Sequence, residues 1–209
     1  MPADDDFDDR CRLLYRSVRD GSVDPAAAFD LGADVLRDYP ADERAAKVAA
    51  LALDQDAAPA LLAAAVRALL AEHFQPTFDD EPGWFAALEE ALETVKADLR
   101  ASGLPDAVRL YSWEGSTNVG VDAWAANSTS GGIFPEEGRD PVLALASVAD
   151  DVQDAVMHSI WGAWPTCPVH RLGVHADLHD GAAVWWCRTG GGHVVAPVGQ
   201  LPPADRPLR

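Results

Sequence analysis

A chain of 209 residues in which 48% are hydrophobic and 24% charged carries enough apolar side chains for one core or two small ones, so disorder is excluded as its default state. The charge is lopsided: 34 Asp and Glu stand against 16 Lys and Arg, for a formal net charge of −18. Such a surface repels phosphate backbones and anionic lipid head groups, which argues against nucleic acid and membranes as partners and favours a basic protein or a cation.

The first residues, MPADDDFDDR, are acidic and lack the basic start and apolar run of a secretory leader, and no stretch approaches the roughly 20 uninterrupted apolar residues of a membrane span. A cytoplasmic location is therefore expected. Three cysteines suit free thiols or metal ligands in a reducing compartment better than a disulfide scaffold.

Residues 1–103 read as helices. Phe7, Cys11, Leu14 and Val18 recur at helical spacing, and Asp24-Pro25 supplies an N-cap followed by Pro in the first helical position. Tyr39-Pro40 stops that second helix; a third is expected over 41–53, a fourth over 59–74 carrying Leu62, Val66, Leu69 and Leu70. A fifth starts at Glu81-Pro82 and carries Trp84, Leu88, Leu92, Val95 and Leu99. The linkers are short and no residue signature repeats at a fixed period, so the expectation is a small bundle. Glu89, Glu90 and Glu93 have no His three residues on and read as a solvated face.

The period changes after Gly103-Leu104-Pro105. AVRLYSWE and VGVDAWAA alternate apolar and polar residues around the turn sequence GSTN and predict a β-hairpin. NSTSGGIFPEEGR reads as a loop, and its Asn127-Ser128-Thr129 sequon has no meaning in a protein that is not secreted. Asp140-Pro141 repeats the cap seen at Asp24-Pro25, opening a helix with Val142, Leu145, Val148, Val152 and Val156 on one face, which Gly162 can end. Asp151, Asp154 and His158 share another face and read as solvated, with Asp154 and His158 as a surface pair.

The stretch WPTCPVHRLGVHADLHDGAAVWWC follows. Cys167 and His170 are separated by two residues, a spacing that lets a tight turn aim a thiolate and an imidazole at one ion. HADLHDG has turn character and AAVWWC strand character, so the chain can fold back and bring Cys187 beside Cys167. His193, beyond Gly190-Gly191-Gly192, is the expected fourth ligand, with His175 or His179 as substitutes. Four ligands in two clusters on a β arm resemble a zinc ribbon over about residues 164–200, which implies a structural Zn ion. Five residues rather than two separate Cys187 from His193, a departure from the ribbon's second knuckle that leaves the fourth ligand open. The run of WPTCPVH, AVWWC and VVAPVGQL also resembles the C-terminal tails of uncharacterised bacterial proteins from GC-rich genomes, a resemblance that implies no activity.

His175, Asp177 and His179 offer an alternative, a metal-dependent hydrolase, although their order differs from the His-x-His-x-Asp-His run of the metallo-β-lactamase fold and little chain follows them. Trp185 and Trp186 are neighbours on a strand and so point to opposite faces; one of them must be partly exposed or meet another element. These readings add up to an α+β protein. It has an N-terminal helical bundle over 1–103 and a second domain over 104–209 made of a β-hairpin, a helix and a zinc-ribbon-like arm. The expected role is binding: a regulatory or protein-interaction module with a basic protein partner.

Overall fold

The structure, a computed structural model, describes residues 4–114, 116–124, 126–127 and 131–203; Ser128 and Thr129 of the sequon and the end of the Pro-rich tail lie outside the described residues. Among the described residues, six α-helices and two antiparallel sheets, of two and three strands, make an α+β fold. No helix among them is long and apolar enough to cross a membrane.

Aspartates begin several helices by accepting from N–H groups that the first turn leaves open. After α1 (Asp4–Arg19), Asp24 accepts from Ala26 N at 3.1 Å to start α2 (Pro25–Asp38). Asp42 accepts from Ala45 N at 2.8 Å to start α3 (Glu43–Leu53), and α4 spans Pro59–His73. The apolar faces of these four helices meet in one cluster that includes Cys11, Leu14, Leu31, Val35, Val48, Val66 and Leu69. Burial pushes the Cys11 thiol up to about 12, with Asp8 adding to the shift, so this cysteine is an inert core residue.

The chain divides into two compact units between Pro76 and Thr77. α5 (Pro82–Ala101), which its periodicity groups with the preceding helices, belongs to the second unit. Its Leu88, Leu92, Val95 and Leu99 share a core with Val148, Val152 and Val156 of α6 (Pro141–Ile160). An amphipathic pattern reports that a helix has an apolar face, not which neighbour covers it.

The expected hairpin is present as β1 (Arg109–Ser112) and β2 (Val119–Asp122), with Leu110 opposite Val121. It is shorter than the alternation suggests. The stretch read as a loop adds Ile133, which exchanges backbone hydrogen bonds with Val119 at 3.1 and 2.6 Å. The larger sheet has the order β3 (His175–His179), β4 (Ala182–Cys187), β5 (His193–Pro197), all antiparallel. HADLH, expected to be a turn, is therefore a strand. The turn is Asp180-Gly181, whose φ angles of 51° and 76° are those a two-residue hairpin loop requires.

Candidate metal centre

Two short segments of the second unit build the centre. The first is the loop from Trp164 to Val174. Cys167 N donates to Leu172 O and Arg171 N to Cys167 O, both at 2.8 Å, while Thr166 bridges Gly173 and Val174 N donates to Pro165 O at 3.0 Å. These bonds fold the segment into a narrow hairpin with Cys167 and His170 at its tip. Gln153, buried on α6, fixes the base: its Nε2 donates to Trp164 O at 2.7 Å and to Val174 O at 2.6 Å. The second segment is the end of β4 and the start of β5, where Cys187 pairs with His193 across the Thr189–Gly191 3-10 turn. Gly190 holds φ of 67°, and a Cβ there would stand 3.3 Å from His170 Nε2, so glycine serves both the turn and the approach of the imidazole.

The side chains of Cys167, His170, Cys187 and His193 each offer one ligand atom, and these four atoms lie within 4.8 Å of one another. Cys167 Sγ is 3.6 Å from His170 Nδ1 and 3.4 Å from His193 Nε2; Cys187 Sγ is 3.4 Å from His170 Nδ1. A tetrahedral ion with Zn–S of about 2.3 Å and Zn–N of about 2.0 Å requires S···N edges of about 3.5 Å. The four residues therefore lie close enough, and at the right separations, to hold a metal ion. Both sulfurs are buried and both imidazoles half-buried. Burial pushes the Cys167 thiol up, but the backbone N–H groups of His170 and Val169 and the Cys187 thiol outweigh it and leave Cys167 below the ordinary thiol value. Stabilisation of the thiolate is what metal ligation needs.

Elsewhere on β3, His175 is exposed, and His179 Nε2 lies 4.0 Å from Asp177 Oδ2. The His179 ring stacks on Trp186 with centroids 3.8 Å apart. Among the described residues, the Cys167, His170, Cys187 and His193 group is the one set of three or more such side chains whose ligand atoms converge. The adjacent tryptophans part as strand geometry demands: Trp185 is fully buried, edge-on to Trp164 at 5.4 Å, and Trp186 is half-buried against His179. On α6, His158 Nδ1 lies 2.8 Å from Asp154 O, a local helix contact.

Three polar residues that support the centre escape a reading by motif. Asp98 of α5 is fully buried and accepts from Trp185 Nε1 at 2.7 Å, Gly199 N at 2.6 Å and Leu201 N at 2.8 Å. Ser102 Oγ accepts from Trp164 Nε1 at 2.9 Å and donates to Asp98 O at 2.8 Å, and Gln153 clamps the loop as described. The available signal was a polar residue inside an apolar stripe: Asp98 sits between Val95 and Leu99, and Gln153 between Val152 and Val156.

The arrangement defines a mixed α+β protein with a closed Cys2His2 cluster on a β arm. Comparisons with protein-family models, curated proteins and solved structures returned no match, so the functional reading rests on the residues themselves.

Proposed function

We propose that this chain is a protein-interaction or regulatory module whose C-terminal arm is held closed by a structural Zn ion at Cys167, His170, Cys187 and His193. The convergence of those four ligand atoms carries the reading. Two thiolates and two imidazoles form a donor set that suits zinc, and four protein ligands fill a tetrahedron and leave no open position for a reacting water. The metal's work is mechanical: it ties the tip of the loop from Trp164 to Val174 onto the end of the three-stranded sheet.

Charge supports a basic protein as one partner. Glu137, Asp150, Asp151 and Asp177 line a hollow of about 350 Å³ in the second unit. Burial, with Asp151 and Asp154 nearby, holds the Asp150 carboxyl above its ordinary value, so a cation entering the hollow relieves repulsion already present.

Metal analysis of the purified chain tests the staple, with Cys167→Ala and His179→Ala in parallel. One zinc per chain is expected in the wild type and in His179→Ala. Cys167→Ala is expected to lose the metal together with several kcal/mol of stability. Absence of any copurifying metal, with a melting temperature indifferent to chelator, sinks the zinc reading. Loss of metal in His179→Ala but not in Cys167→Ala points instead to the hydrolase alternative at His175, Asp177 and His179.

A further inference from the structure

Acidic residues are distributed unevenly along the chain. Of the 34, Asp177 and Asp180 are the two that fall between Asp154 and Asp205. That interval contains the whole metal arm. Thr166 and Asp180 are exposed there too, but the large side chains that face outward around the metal loop are apolar or cationic: Trp161 is 94% exposed, Val169 74% and Leu172 53%, and Arg171 and Arg188 are also exposed. The fold gathers them at one end. Val169, Arg171 and Leu172 share the tip of the loop from Trp164 to Val174, Arg188 follows Cys187, and Cys187 lies 3.4 Å from His170. Trp161 precedes Ala163, whose side chain lies against Gly173 at the base of the same loop.

A second observation singles out two of these residues. Among the described residues, three that are not glycine hold a positive φ: Trp161 at 53°, Arg171 at 57° and Asp180 at 51°. Asp180 is accounted for by its Asp-Gly hairpin turn. The other two also close local structure: Trp161 N–H donates to Met157 O at the end of α6, and Arg171 N–H donates to Cys167 O in the metal loop. Trp161 caps α6 in the left-handed conformation that glycine usually supplies, and it does so with its indole in water. An uncommon backbone conformation and an exposed large aromatic coincide at Trp161, and Arg171 shares that conformation. The electrostatics have a definite sign. Arg171 and Arg188 are the exposed charges beside the metal loop, and neither is engaged in an ion pair among the described residues.

We propose that the metal end of the second unit, built from Trp161, Val169, Leu172, Arg171 and Arg188, docks an acidic protein segment that carries apolar side chains. This rests on reading the chain as an interaction module, and it assigns a partner of opposite charge to the one that suits the acidic hollow. Screening over about 8 Å at physiological ionic strength separates this cationic end from the bulk of the chain's negative charge. The indole and aliphatic side chains supply the contact, and the two guanidiniums select carboxylates over other chemistries.

The test selects short random peptides displayed on phage against the zinc-loaded full chain, then measures the synthesised winners by fluorescence anisotropy. Winners are expected to combine Asp or Glu with Leu, Phe or Trp. Their Kd is expected to weaken by about tenfold or more against Trp161→Ala, and likewise against the double variant Arg171→Glu, Arg188→Glu. Zinc content and melting temperature of Trp161→Ala should match the wild type, since its side chain touches solvent. Basic winners, or acidic ones that bind both variants as tightly as the wild type, overturn the assignment while leaving the interaction module standing. Concentration-dependent self-association in sedimentation that Trp161→Ala abolishes gives the face to a second copy and overturns it too. No enrichment of any peptide overturns this inference and the interaction reading together.

Discussion

Two aspartates show how position inverts the meaning of one side chain. Asp42 caps α3, and its hydrogen bond from Ala45 N, opposed by burial and aided by His73, holds its carboxyl below the usual value. Its contribution is therefore present above the unfolded carboxylate range and is lost as pH falls through the lower folded value. Asp42→Ala is expected to cost about 1 kcal/mol at neutral pH and close to nothing in strong acid, measured by urea denaturation at both. Asp98 behaves in the opposite sense. Burial raises its carboxyl against the combined effect of Leu201, Trp185 and Gly199, so its contribution is fully present below the unfolded range and declines as pH rises through the folded value. It persists because three donors converge on it. Asp98→Ala strands all three and is expected to cost about 3 kcal/mol, and Asp98→Asn should rescue only part, because an amide NH2 would face a donor. If Asp98→Asn matches the wild type in denaturant midpoint, the carboxylate is not needed there.

Helices were legible from periodicity because their apolar stripes are regular, and Asp24-Pro25 and Asp140-Pro141 located the starts of α2 and α6. The end of α6 was less so: Gly162 looked like the stop, but Trp161 takes the left-handed cap and donates to Met157 O. A sequence offers no reason to place a tryptophan in the left-handed cap where glycine stands next door. Trp161→Gly is expected to stabilise the second unit by about 1 kcal/mol, read as a higher denaturant midpoint at unchanged slope. A lower midpoint would mean the indole packs in solution. β3 was misread for a different reason. His175, Asp177 and His179 stand out as residue types for ligation, whereas their alternation with Ala176 and Leu178, followed by Asp180-Gly181, is that of a strand and its hairpin turn. Cys167, His170, Cys187 and His193 were nameable from residue type and spacing alone. Asp98, Ser102 and Gln153 were not, because nothing local says which polar residue of an apolar stripe will meet a backbone carbonyl or an indole from a distant element.

At the scale of the whole molecule, charge sets a term that no single contact reports. A net charge of −18 on 209 residues disfavours any compact state through self-repulsion. Against it stand ion pairs such as Arg10 with Asp6 and Asp34, Arg44 with Glu72, and Arg109 with Asp122. Most of these are exposed, and exposed pairs contribute roughly 0–1 kcal/mol each and weaken in salt. The balance is decided by number: with 34 acids and 16 bases, more than half of the carboxylates lack a cation of their own in the chain, and what those contribute is repulsion. Salt screens both terms, but it relieves the larger. The melting temperature is therefore expected to rise between low-salt buffer and molar NaCl, in the zinc-loaded protein and in Cys167→Ala alike, since the surplus acids lie almost wholly outside the metal arm. Scanning calorimetry across a salt series decides it. A fall in melting temperature would show that the ion pairs, not the surplus acids, govern the folded state. A rise confined to the zinc-loaded protein would tie the charge to the arm rather than to the chain as a whole.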